Sequence, residues 1–101
     1  MPVSFVTTMP ETLLAAASTL QGVGSAVAAG NAAAAAPTTG VIPAAADKVS
    51  ALTVAQFAAH AAMYQAVAAG AAAMHDLFMT TLATTAGSYA ATEAANATPL
   101  T

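Results

Sequence analysis

Five charged side chains, Glu11, Asp47, Lys48, Asp76 and Glu93, are all that a chain of 101 residues carries, and arginine is absent. A soluble globular domain has about 25% charged residues; here the share is 5%, against 58% hydrophobic. So few charges cannot keep a large surface wet, and much of what the chain leaves outside its own core must be covered by something else. The shortage also excludes function classes. Without a basic patch there is no electrostatic footing on a phosphate backbone, and nucleic-acid binding is not expected.

Alanine, the best helix former, supplies most of the apolar count. The uncharged stretch from Thr12 to Ala46 exceeds the ~20 residues that cross a bilayer. Gly22, Gly24, Gly30, Asn31, Pro37 and Gly40 interrupt it, so membrane insertion is not expected. Met1 to Glu11 contains no Lys or Arg, which argues against a cleaved secretory leader. Cysteine is absent, which removes disulfides and thiolate metal sites.

The pattern along the chain predicts an all-α fold, an antiparallel two-helix hairpin. Thr8, Pro10 and Glu11 form a helix start, with Thr8 as N-cap, Pro10 in the first turn and Glu11 closing a capping box. The first helix is expected over about 9–36. Leu13, Leu20 and Val27 recur in it at sevenfold spacing, with Gly22 and Gly24 allowing close helix approach. The breaker-rich stretch 37–42 reads as the loop and Pro43 as the first turn of a second helix over about 44–86, stopped by Gly87. Residues 87–101 then form a flexible tail, and 1–86 the hairpin.

In the second helix Phe57, Tyr64 and Phe78 are spaced in sevens, and His60, Val67 and Met74 interleave with them. This spacing reads as a bundle seam. Folding back about Gly40 sets Leu13 near Val67, Leu20 near His60 and Val27 near Thr53. At ~1.5 Å per residue the helices measure on the order of 40 and 60 Å. The end of the second helix, with Met74, Leu77 and Phe78, therefore overhangs the first, where only Phe5 and Val6 can reach it. The outer faces of such a hairpin should be charged and are not, so a partner's helices are expected to complete a four-helix bundle. Leu13, Leu20, Val27, Phe57, His60, Tyr64, Val67, Met74, Leu77 and Phe78 are the expected hairpin and partner interface.

No catalytic, metal or cofactor site is expected. His60 and His75 lie fifteen residues apart without the i, i+4 spacing or third ligand of a zinc site, and no serine sits in a nucleophile elbow. His60 is read as a seam residue bonded to a neighbour such as Gln21, with His75 and Asp76 at the surface. Tyr89 and Glu93 stand at i, i+4 and share a face if the tail is helical.

Several stretches resemble the mycobacterial PE family, named for a Pro-Glu pair near the N-terminus, here Pro10 and Glu11 within Ser-Phe-Val-Thr-Thr-Met-Pro-Glu from Ser4. Others are Asn-Ala-Ala-Ala-Ala-Ala-Pro-Thr-Thr from Asn31, Ile-Pro-Ala-Ala-Ala-Asp-Lys-Val-Ser-Ala-Leu from Ile42, Ala-Gln-Phe-Ala-Ala-His from Ala55 and Gly-Ser-Tyr-Ala-Ala-Thr-Glu from Gly87. The resemblance implies a non-enzymatic PE domain without the C-terminal extension of some relatives. It implies a 1:1 heterodimer with a PPE-family protein, exported folded by a type VII secretion system to the cell surface or medium. The secretion chaperone would bind through the PPE partner, and the export motif Tyr-x-x-x-Asp/Glu carries onto Tyr89 and Glu93. A second implied role makes the exported pair a component of outer-envelope permeability or nutrient uptake.

Overall fold

A computed structural model describes residues 6–98. Among them the chain forms two helices, α1 (Pro10–Thr39) and α2 (Lys48–Ala97), and no strand. The all-α expectation holds. The residues fall into two compact units, one joining those up to Val23 with those from His75 onward, the other being Gly24–Met74. Each unit pairs a stretch of α1 with an antiparallel stretch of α2.

The helix ends differ from the expected ones for identifiable reasons. Met9, rather than Thr8, caps α1, because the Met9 carbonyl accepts from the amides of Thr12 and Leu13 at 3.0 and 3.3 Å. Pro10 then occupies the first helical position, where its missing N–H is no loss. At the other end α1 continues through Pro37 to Thr39. The proline withdraws one amide from the last turns, and the hydroxyls of Thr38 and Thr39 donate to the Ala34 and Ala35 carbonyls at 2.6 and 2.7 Å. The Gly40 amide completes the end on the Ala36 carbonyl.

The second helix begins at Lys48, not near Ala44, because Asp47 is its cap. The Asp47 carboxylate accepts from the Ser50 amide at 2.8 Å and from the Ser50 hydroxyl at 3.3 Å, as an N-cap side chain does with the third helical residue. Gly87 does not stop α2, which runs on to Ala97, and no glycine among the described residues has positive φ. The expected flexible tail is thus helical as far as Ala97; residues 99–101, and the expected cover by Phe5, lie outside the described residues. Val6 is exposed.

The register is also corrected. His75, not His60, meets Leu20 in the first unit, a slip of fifteen residues, or about 22 Å along a helix. In the second unit Asn31 meets Tyr64 and Gln65. The cause is the connection: residues 40–47 lie between the helices, so the fold does not turn about Gly40 and the first turns of α2 pass beyond the end of α1.

Which residues face inward is the main surprise. In the second unit the α2 residues withdrawn from solvent are Ser50, Val54, Ala58, Ala61, Gln65 and Ala68, and those of α1 are Gly24, Asn31, Ala34 and Ala35. In the first unit those of α2 are His75, Met79, Leu82, Ala86 and Glu93, opposite Pro10, Leu13, Ala17 and Leu20. Both α2 sets advance by three, four or seven residues, the spacing of a heptad seam. Only Ala61 and Ala86 are buried among the described residues. Gly22 plays no part in close approach, since a Cβ there would meet nothing within 4 Å.

A Cβ at Gly87 would likewise meet nothing within 4 Å. Gly87→Ala is therefore expected to stabilise the folded chain by ~0.5–1 kcal/mol, the ordinary advantage of alanine in an exposed helix interior. Thermal melting checks it; a drop in stability would show that Gly87 adopts a left-handed, helix-ending conformation.

Candidate functional site

The seam leaves the heavy side chains outside. In the second unit Phe57, Tyr64, Val67 and Met74 are 62%, 51%, 71% and 74% exposed. His60 is exposed with them. Phe57, His60, Tyr64 and Val67 each precede an inward residue, Ala58, Ala61, Gln65 and Ala68, and so sit about 100° round the helix from the seam. The residues that follow the inward ones are Ala55, Ala59, Ala62, Ala66 and Ala69. One flank of α2 in this unit is thus aromatic and bulky and the other is alanine throughout. On α1 Val27 is also exposed.

In the first unit Leu13 and Leu20 lie on the seam as expected. Phe78, preceding inward Met79, is exposed, and so is Leu77. The expected interface therefore separates into two sets. Leu13 and Leu20 hold the helices together, whereas Val27, Phe57, His60, Val67, Met74, Leu77 and Phe78 are turned away from the seam; Tyr64 is half exposed, its ring on the outer flank and its hydroxyl reaching back to α1. An open groove of about 460 Å³ in this unit is lined by Leu14, Ala17, Ser18, Gln21, Asp76, Met79, Thr80 and Ala83.

Polar stitches cross the seam. The Tyr64 hydroxyl donates to Asn31 Oδ1 at 2.7 Å and the Gln65 amide to the Asn31 carbonyl at 2.9 Å. His75 Nε2 lies 2.7 Å from the Leu20 carbonyl; a carbonyl only accepts, so Nε2 carries the proton. The histidine roles are thus reversed from expectation, with His75 at the seam and His60 outside. Mid-helix carbonyls have a second lone pair for such donors, so these bonds add to the backbone ladder.

Tyr89 and Glu93 lie on α2, one turn apart, and Tyr89 is 44% exposed. Glu93 is half-buried. Its Oε1 accepts from the Thr8 amide at 2.9 Å and from the Thr8 hydroxyl at 3.1 Å. The hydroxyl expected to cap α1 is therefore spent on α2. Sequence reasoning missed this pair, although Glu93 stands at sevenfold spacing from Met79 and Ala86 and so falls in the phase of the seam.

The family model of the PE family matches residues 6–96. The chain belongs to the PE family. It is 69% identical to PE family protein PE13 of Mycobacterium tuberculosis (strain ATCC 25618 / H37Rv) over 94 residues, covering 93% of this chain and 95% of that relative. It is 56% identical to PE family protein PE8 of the same strain over 93 residues, 92% of this chain but 34% of PE8. To PE-PGRS family protein PE_PGRS33 of the same strain it is 56% identical over 97 residues, 96% of this chain and 20% of that protein. The shared part in the longer relatives is thus the helical region described above, and the family's Pro-Glu pair is the first turn of α1.

By length and composition alone, α1 and α2 are each apolar enough to cross a membrane. Glu93 also places a carboxylate at the start of α1, the end of a helix that favours negative charge. Glu93→Ala should release Thr8: its amide should exchange with solvent at least tenfold faster, and α1 should lose about 1 kcal/mol, a charge-assisted bond discounted for solvent access. Hydrogen exchange followed by mass spectrometry or NMR measures both. Unchanged exchange at Thr8 to Leu13 would contradict the contact.

Proposed function

We propose that this chain is a non-enzymatic secretion substrate, exported folded by a type VII secretion system as a 1:1 heterodimer with a PPE-family protein. The observation that carries this reading is the outward bulky flank of α2. Phe57, Tyr64, Val67 and Met74 on that flank are 51% to 74% exposed, and large side chains of this kind dominate interface energy when enclosed. A helix pair docking there completes a four-helix bundle around Phe57, Tyr64, Val67 and Met74. Within this reading Tyr89 and Glu93 are the export signal and the pair ends at the cell surface or in the medium. A secretion chaperone reaches it through the PPE partner.

The bulky and alanine flanks give an internal control. Co-expressed with its PPE partner, the chain should form a soluble 1:1 complex. Phe57→Asp should abolish that complex, because a carboxylate would be enclosed without a counter-charge. Ala62→Asp, on the alanine flank one residue from buried Ala61, should leave complex yield near wild type. Co-purification measures both. Equal tolerance of the two substitutions would place the partner elsewhere, and a monodisperse, cooperatively melting monomer of the isolated chain would remove the need for one.

A further inference from the structure

We propose that Thr8 is a positioning residue of the export signal, fixing the Glu93 carboxylate so that the signal is a folded surface built from both ends of the chain. The proposal rests on the secretion reading above. It begins with the path of the backbone. Met9 precedes Pro10, and a residue before proline is held out of the helical conformation, so the chain leaves α1 at Met9. Thr8 is then free to turn its amide and hydroxyl across to α2.

Both donors converge on the same oxygen, Oε1 of Glu93. Among the described residues no donor reaches Oε2. A glutamate on an exposed helix samples several rotamers, and ordering it costs side-chain entropy. Here the contact with Thr8 orders the side chain before any recognition takes place, which lowers the cost of binding to it. Tyr89 lies one turn earlier on the same continuous helix. The phenol and the Glu93 carboxylate are consequently presented at a fixed spacing, with Thr8 as the buttress. A linear tail would need no such buttress.

Four variants decide the matter, each co-expressed with the partner in a mycobacterial host and scored for complex in the lysate, melting of that complex, and protein in the culture filtrate. Thr8→Val keeps the β-branched shape and the amide but removes the hydroxyl; Thr8→Ser restores the hydroxyl. Tyr89→Ala and Glu93→Ala report on the signal itself. The expected result is that Thr8→Val leaves complex yield and melting unchanged while export falls at least threefold, that Thr8→Ser restores export, and that the other two variants block it. Full export of Thr8→Val with Tyr89→Ala and Glu93→Ala blocked would overturn the positioning role and leave the signal reading standing. Full export of all four would overturn both. Loss of complex in step with loss of export for Thr8→Val would make Thr8 a residue of the fold alone and overturn the proposal equally.

Discussion

Two helices approach closely only where the side chains between them are small, and here alanine makes that closeness. Ala58, Ala61 and Ala68 in one unit and Ala86 in the other occupy seam positions where most bundles place leucine. Little apolar area is buried by such residues, roughly a methyl group each. The pair is therefore thin, and its stability within the chain is modest. What the seam gives up in burial it supplies in geometry: with alanine at several of its α2 positions in the second unit, Phe57, His60, Tyr64 and Val67 are left for an outer flank.

This arrangement explains the scarcity of charge. A chain that folded alone would need polar residues where Phe57, Tyr64 and Val67 stand, whereas a chain built to be enclosed needs them only where it stays wet. Specificity within the seam comes from a few polar side chains instead. Gln65 and Tyr64 grip Asn31, and His75 grips Leu20. A seam of methyl groups alone would slide by a heptad at small cost, so these bonds hold the register that alanine cannot specify.

The sequence shows the period of the helices plainly and their phase poorly. Sevenfold spacing of Phe57, Tyr64 and Phe78 marks a stripe, but any stripe of a helix has that spacing, and mass is a poor guide to which one meets the neighbouring helix when the weightier contact belongs to another chain. The true seam lies one residue on, and in the second unit several of its positions, Ala58, Ala61 and Ala68, are alanines that look like filler. Other features were legible and outweighed. Asp47 with Ser50 is an N-cap pair, yet Pro43 is the stronger breaker and draws the helix start to itself; the fifteen-residue error in register follows from that choice together with helix continuing through Pro37. Gly87 signals a stop only if its φ is positive, which composition does not reveal. The contact between Thr8 and Glu93 joins residues far apart in sequence, and nothing local announces it beyond the phase of Glu93.

The central claim is that the bulky flank of α2 is covered in the functional complex while the alanine seam is the chain's own. Hydroxyl-radical footprinting of the unmodified complex tests it most directly, because the native side chains are themselves the probes. Tyr64 and Met74, at 51% and 74% exposure in the chain alone, should be modified at least tenfold more slowly in the complex than in the denatured chain. Modification of these two residues in the intact complex at rates near those of the denatured chain would contradict the account.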